Sequence, residues 1–287
     1  MSNQITTAFV EQYSSNVQML SQQKGSLLRG SVDVETVVGN NAFFEQVGSA
    51  TAQKRVSRHS DTPQLDTPHA KRRVSLVDYE YADLIDQQDK VRTLIDPTSA
   101  YANAAAFALG RSMDDEIIAA ATGNAFTGAT GSTSTALGAG QAITESGTDG
   151  LTIAKLRTAK EKFDLASVDP SLPRFLVVGP RQVSDLLGTT SVTSSDFNTV
   201  KALVNGEVDT FMGFKFITST RLAIASSKRL CIAFAGDGIK LALGKDVMTR
   251  IDERSDKGYS TQVYVCMSIG ATRMEESKVV SIQAHEA

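Results

Sequence analysis

From Gln53 to Arg72 the chain holds almost nothing that could enter a hydrophobic core, yet strand-like segments flank the stretch on both sides. Before it runs Ala42-Phe43-Phe44-Glu45-Gln46-Val47. After it, Arg73-Val74-Ser75-Leu76-Val77-Asp78-Tyr79 alternates apolar and polar residues as a half-exposed strand does. Pro63 and Pro68 sit between them, so the segment reads as a long hairpin with a proline-containing tip. A two-stranded hairpin is marginal in water by itself. Whatever this chain folds into must therefore give that arm something to rest on.

Charge follows the same division. Lys54, Arg55, Arg58, Lys71, Arg72 and Arg73 face only Asp61 and Asp66 in the hairpin. Directly after it come Asp78, Glu80, Asp83, Asp86 and Asp89, with no basic residue before Lys90. Two readings stand side by side. Charge runs are usually solvated faces. Alternatively, a basic arm reaches an acidic surface on another copy, either the 78–89 run or the band Asp114, Asp115 and Glu116.

The whole chain bounds the rest. Its 287 residues suffice for one large domain or two moderate ones, and 41% apolar with 21% charged residues is ordinary for a globular protein. A formal net charge of -3 lacks the basic excess that phosphate neutralisation demands of a nucleic-acid binder. Cys231 and Cys266 lie in separate apolar runs and read as buried free thiols rather than a disulfide framework or zinc site. The N-terminus, Met1-Ser2-Asn3-Gln4, has neither the basic start nor the apolar run of a secretory signal, and no segment approaches the roughly 20 apolar residues of a membrane span. A soluble protein made in a cytoplasm is expected.

Helical and strand periods place the other elements. Phe9, Val10, Tyr13, Val17 and Leu20 give residues 7–22 one apolar face, on a segment too small for its own core. Asp96-Pro97 is a good start for a helix that runs to Gly123-Asn124, with Tyr101, Ala104, Ala105, Ala108, Leu109, Met113, Ile117 and Ala120 along its apolar side. At 1.5 Å per residue this is a rod of about 39 Å. Residues 123–150, rich in Gly, Ala, Ser and Thr, read as loop or a loose strand pair. Thr152 can cap a helix to Ala166, with Leu151 stapled on Leu156. Phe175-Leu176-Val177-Val178 is a short buried strand, and Gly179-Pro180 turns it into a helix stopped by Gly188. A further short helix spans 196–204. Strands are expected at 214–217, 229–235, 239–243, 247–251, 262–269 and 279–282. Without regular βαβ alternation, the mixed order argues α+β.

No catalytic constellation stands out. Gly123 and Gly128 have the spacing of a phosphate loop, but Ala129 and Thr130 stand where Lys and Ser or Thr are required. Gly236-Asp237-Gly238 reads as a tight turn. Ser21 and Lys24 match a serine–lysine pair without its companion motifs. His59, His69 and His285 have no partners at metal-ligand spacing. Asp114 and Asp115 are adjacent on a helix and point apart, so they form no dyad. No cofactor, metal or catalytic residue is assigned. What remains is organisation: an arm, a rod, a compact body and an N-terminal segment that must lean on something. Such extensions suit a subunit whose stability lies between copies.

The order of these elements resembles that of tailed-bacteriophage major capsid proteins, the Hong Kong 97-type capsid fold. Gln22-Gln23 with Ser26-Leu27-Leu28-Arg29 resembles the N-terminal arm, residues 42–81 the extended loop, and the rod after Asp96-Pro97 the spine helix. Phe175-Leu176-Val177-Val178-Gly179-Pro180 is similar to the strand and turn that open the axial domain. Asn205-Gly206-Glu207-Val208, Gly213-Phe214-Lys215-Phe216-Ile217-Thr218-Ser219 and Val279-Val280-Ser281-Ile282 resemble later parts of the same fold.

The resemblance implies an arm over 1–41, an extended loop over 42–81, a peripheral domain over 82–150 with its spine helix near 97–122, an axial domain over 151–260, and return strands over 261–287. It implies a capsid (head) protein of a virion, with no enzyme activity, that assembles in the host bacterial cytoplasm. Its partners would be copies of itself in hexamers and pentamers, a scaffolding protein, a portal protein and in some cases a decoration protein. The icosahedral shell would enclose double-stranded DNA without sequence-specific binding, and no membrane is involved. The chain is short upstream of its arm, so a separate scaffold is expected. Lys54 and Lys71 lie in the loop region, but no Asn and Glu match the self-cross-linking chemistry of the fold's founding member, and that chemistry is not carried over. An encapsulin-type compartment shell, holding cargo peptide instead of DNA, shares the fold. A soluble α+β enzyme, marked by a pocket with a perturbed titratable group, is the alternative of another class.

Overall fold

The computed structural model describes residues 21–55, 57–58, 61–62, 64–86, 98–144, 147–188 and 210–286. The helices expected at 7–22 and 196–204, the Asp96-Pro97 cap, His59 and Pro63 fall outside them, apart from residues 21–22 of the first. The described helices are α1 (Thr98–Thr122), α2 (Ile153–Leu165) and α3 (Pro180–Gly188). The strands are β1 (Asp33–Thr36), β2 (Asn41–Val47), β3 (His69–Ser75), β4 (Val77–Ile85), β5 (Ala125–Thr127), β6 (Thr133–Thr135), β7 (Ala142–Ile143), β8 (Arg174–Val178), β9 (Thr210–Phe211), β10 (Phe214–Thr218), β11 (Ile224–Ala225), β12 (Lys228–Ala235), β13 (Ile239–Arg254), β14 (Ser260–Arg273) and β15 (Val279–His285).

They form three sheets. One has the order β1-β13-β14-β4 and carries α1 across it. The second runs β7-β15-β12-β8-β10-β9, with β11 beside β12. The third, β2-β3-β5-β6, is built on the hairpin. The result is the α+β class expected.

Burial explains the long helix. Ala105, Leu109, Met113, Ile117 and Ala121 recur every fourth residue and are buried. Tyr101, expected on the same apolar edge, is exposed. The second sheet centres on β8, buried on both faces, which accounts for its unbroken apolar run. The Thr152 hydroxyl accepts from the Lys155 amide at 3.4 Å and caps α2, while Leu151, Leu156 and Phe163 are fully buried beneath it. Phe163 meets Phe214 across that layer, ring centroids 6.0 Å apart. Both cysteines are buried free thiols, and burial pushes the Cys231 thiol up to about 12.

Three expectations need correction. The alternating run Arg73–Tyr79 is not one strand: the chain leaves β3 at Ser75, breaks at Leu76 and enters β4 in a different sheet. Alternation persists through a change of sheet, so the period does not reveal it. The runs at 239–243 and 247–251 are one strand, β13, with irregular register between Leu243 and Met248. Gly244 lies within this strand, and a Cβ there would have to displace the end of the Leu76 side chain. Finally, the hairpin root has a small core, in which Val37, Phe44, Val74 and Ala242 bury one another.

The expected division at 260 cuts across the sheets. Residues 239–254 pair with β14 in the four-stranded sheet, and residues 279–285 pair with β12 in the larger one.

The C-terminal end is tied by an ion pair. The Arg229 guanidinium forks onto both Glu286 carboxylate oxygens, the Gln182 amide donates to the same group at 3.0 Å, and Arg229 is mostly buried. The arginine first, then Gln182, hold the Glu286 carboxyl down at about 2. A depressed carboxyl stabilises fully above its unfolded value of about 4.3 and loses that contribution as pH falls towards the folded value. Glu286→Gln is therefore expected to cost ~1–2 kcal/mol at pH 7, after discounting for partial exposure, and to flatten the pH dependence of stability between about pH 5 and 2. Urea titrations at pH 7, 4 and 2.5 check both effects.

Candidate functional site

The nine charged residues singled out in the sequence fall into three settings. The first is a saddle on α1. Gly110 is buried where a Cβ would lie 2.6 Å from the Gly25 carbonyl carbon and 2.8 Å from the Ser26 amide nitrogen. One turn later the Asp114 carboxylate, fully buried, accepts from the Leu27 and Leu28 amides at 3.1 Å each and from the Ser26 hydroxyl and Gln23 amide. Arg111 donates to the Gln22 side chain at 3.1 Å and the Gln23 carbonyl at 3.2 Å. Leu28 then plugs the core, and Arg29 forks onto Asp246, whose carboxyl it holds below the usual range. Glycine and aspartate four apart thus present a notch and a clamp on one helix face, and residues 22–29 are strapped into it.

The rest of the acidic band turns elsewhere. Asp115 pairs with Arg221, with one bond of 2.7 Å, and Glu116 accepts from the Tyr79 hydroxyl. Burial and then the Glu116 carboxylate raise that tyrosine's pKa. The three consecutive acids therefore serve three separate intrachain contacts. No carboxylate dyad exists among them.

The second setting is the root of the hairpin. Arg72 is 5% exposed: its guanidinium donates to both Glu276 oxygens at 2.6 and 2.7 Å and its Nε to the Met274 carbonyl at 3.0 Å. Gln46, facing the same carbonyl from β2, donates to it as well. Arg273, fully buried beside this pair, donates to the carbonyls of Ala121, Gly123 and Thr135 and so closes the C-terminal end of α1. Arg73 lies 5.0 Å over the Phe126 ring and packs on Gly131, where a Cβ would be 2.5 Å from its own. Beside the root an open cleft of ≈ 1100 Å³ separates Val47, Pro68 and Arg72 from Ser167, Glu276 and Lys278.

The third setting is the arm beyond the root. Every described residue from 48 to 68 is exposed except half-buried Thr67. Lys54, Arg55 and Arg58 lie here; Arg55 donates back to the Ser57 and Arg58 carbonyls. Lys71, the third residue of β3, makes an exposed ion pair with Glu45 at 3.1 Å. The structure thus separates the basic set: Arg72 and Arg73 are engaged within the subunit, while Lys54, Arg55, Arg58 and Lys71 stand at its surface. Gly110, Arg273 and Glu276 escaped the sequence reading. A glycine in the interior of a strong helix was the available signal, because it costs about 1 kcal/mol relative to alanine and marks a close approach.

Among the described residues no three His, Cys, Asp or Glu side chains converge as a metal site would require, and no described helix is long and apolar enough to cross a membrane.

Comparison with known proteins agrees along the whole chain. A family model described as phage capsid protein matches residues 5–286. No curated protein sequence matches. Among solved structures, the capsid of cyanophage P-SCSP1u superposes with a TM-score of 0.73 at 17% identity, over 99% of this chain and 95% of that one. The capsid of Ralstonia phage GP4 gives 0.76 at 10% identity over 98% and 96%. The capsid of an empty GTA particle gives 0.72 at 12% identity over 100% and 98%. At these identities the likeness is one of fold.

Proposed function

The chain belongs to the phage capsid protein family, and from that premise we propose how it builds a shell. It is a structural subunit of the virion head. Copies join as hexamers and pentamers into an icosahedral container for double-stranded DNA, assembled in the host bacterial cytoplasm. A separate scaffolding protein and a portal protein are the expected partners, with a decoration protein as an optional addition. α1 with the sheet β1-β13-β14-β4 forms the peripheral part of each subunit. The second sheet with α2 and α3 forms the axial part, and the hairpin of β2 and β3 forms the extended loop.

One observation carries this reading: the arm is locked to its own body at the root, by Arg72, Gln46 and the Phe44–Val74 core, and is exposed over the described residues beyond. A rigid base under an exposed limb is suited to bridging subunits. The modest net charge of -3 suits a DNA container, because a strongly basic wall would bind the genome by counterion release.

Reversing the exposed charges, Lys54→Glu with Arg55→Glu and Arg58→Glu, is expected to leave thermal unfolding of the subunit within about 0.5 kcal/mol of the parent, as exposed substitutions do. Particle yield on sucrose gradients should fall at least tenfold. Undiminished particles from this triple variant would remove the basic arm from the assembly contacts.

A further inference from the structure

The hairpin β13–β14 has one edge that the described part of the subunit leaves open. β1 covers β13 only at Lys240–Leu243. The irregular register between Leu243 and Met248 then turns the strand past it, and Arg29 fastens that bend through Asp246. From Thr249 to Arg254 every residue is exposed on both faces, while the opposite edge of the same strand pairs in unbroken register with β14. Among the described residues no strand lies on the outer edge. Open edges of this length invite another chain and are ordinarily blunted by charged side chains, lysine above all, by proline or by a bulge. This one, Thr249-Arg250-Ile251-Asp252-Glu253-Arg254, has no proline or lysine, and its charges cancel.

We propose that this edge is a two-fold contact, in which Thr249–Arg254 pairs antiparallel with the same strand of a second copy, centred on Ile251. The geometry selects the register. Backbone groups point outward at alternate residues, so paired residues must share orientation. Two identical strands related by a two-fold axis can therefore meet only with the axis through a residue, not between residues. Centring on Arg250 or on Asp252 opposes like charges on the axis, and the latter also sets Arg250 against Arg254. Centring on Glu253 opposes two glutamates. Centring on Ile251 opposes Ile251 to Ile251, Arg250 to Asp252 on either side, and Thr249 to Glu253.

The side chains are available for it. Ile251 is 48% exposed and sits opposite fully buried Val263 on β14, so the isoleucine pair extends an existing apolar face. Among the described residues Arg250 and Asp252 enter no ion pair. Opposite charges directly across a strand pair stabilise it, and like charges destabilise it. This inference deepens the shell reading by naming one contact between copies, and it rests on that reading only for the high local concentration of subunits.

The test is a cysteine at the axis. Residues directly opposite on antiparallel strands have Cα atoms about 4.5–5.5 Å apart, inside the span of a disulfide. Ile251→Cys, in assemblies of the full chain under mild oxidant, should run mostly as a covalent dimer on non-reducing denaturing gels. Thr249→Cys should stay monomeric, since its counterpart lies four residues away in register, roughly 14 Å along the strand. Cys231 and Cys266 are buried and do not compete. Arg250→Asp alone should lower dimer and particle yield at least fivefold, and Arg250→Asp with Asp252→Arg should restore both.

An Ile251→Cys variant that stays monomeric on the gel while its particles are well formed overturns the proposal. So does equal cross-linking at 249 and 251, or a double reversal no better than the single. If the parent chain forms no particles even with its scaffolding protein co-expressed, the shell reading fails, and the same gel on the concentrated soluble chain still decides the edge pairing.

Discussion

Asp114→Ala is expected to lower the unfolding free energy by about 3–5 kcal/mol and to release residues 22–29 from the body. The reason is the number of donors left behind. The carboxylate receives two backbone amides, a hydroxyl and a side-chain amide inside the protein. Hydrogen bonds to a charged group contribute about 1.5–3 kcal/mol each, and a donor left buried without a partner carries its own desolvation penalty. Leu28, fully buried, also loses the anchor that seats it. Asp114→Asn keeps the shape and one acceptor oxygen but turns an NH2 towards donors, so it should fall between the parent and alanine. Gly110→Ala tests the notch separately: the clash is with the backbone of Gly25 and Ser26, which cannot rotate away. Urea denaturation gives the energies. Hydrogen exchange over residues 22–31 shows whether the strap comes loose, and unchanged protection in Asp114→Ala would remove Asp114 from this role.

Arg72→Glu carries the second large effect, with an expected loss of about 3–5 kcal/mol, because it sets a carboxylate against Glu276 and the Met274 carbonyl in a nearly closed setting. The charge pattern by itself puts Arg72 and Arg73 in a basic arm reaching another copy, where reversing them would spare the fold. The buried setting of Arg72 alters that. A particle defect in Arg72→Glu is expected to be accompanied by an earlier thermal transition, whereas the Lys54, Arg55 and Arg58 reversals should show the particle defect alone. Comparing the two melting curves separates the root from the tip. A parent-like melt for Arg72→Glu would mean that its pair with Glu276 contributes nothing to stability.

These two residues also mark the line between what the sequence reveals and what it hides. The Thr152 cap, the α1 rod, the buried β8 run and the Gly236-Asp237-Gly238 turn are local patterns. They are readable because cap, period and turn are set within a few residues. The burial of Asp114 depends on Leu27 and Leu28, nearly ninety positions away, and that of Arg72 on Glu276, 204 positions away. A charged residue in a polar run gives no sign of such a partner, so both read as surface. The change of sheet at Leu76 and the continuity of β13 past Gly244 are hidden for a related reason: alternation reports one face of one strand, not which sheet it joins. The charge runs themselves are plain, but their use is not, since one run supplies both an exposed tip and a locked root.

The central claim is that this chain builds a closed shell from copies of itself. Electron microscopy of the purified recombinant chain, alone and with a crowding agent, tests it most directly. Closed shells, tubes or isolated five- and six-fold capsomers are the predicted result. A uniform field of monomers or small dimers at every concentration, with crowding and also with the scaffolding protein co-expressed, would contradict it.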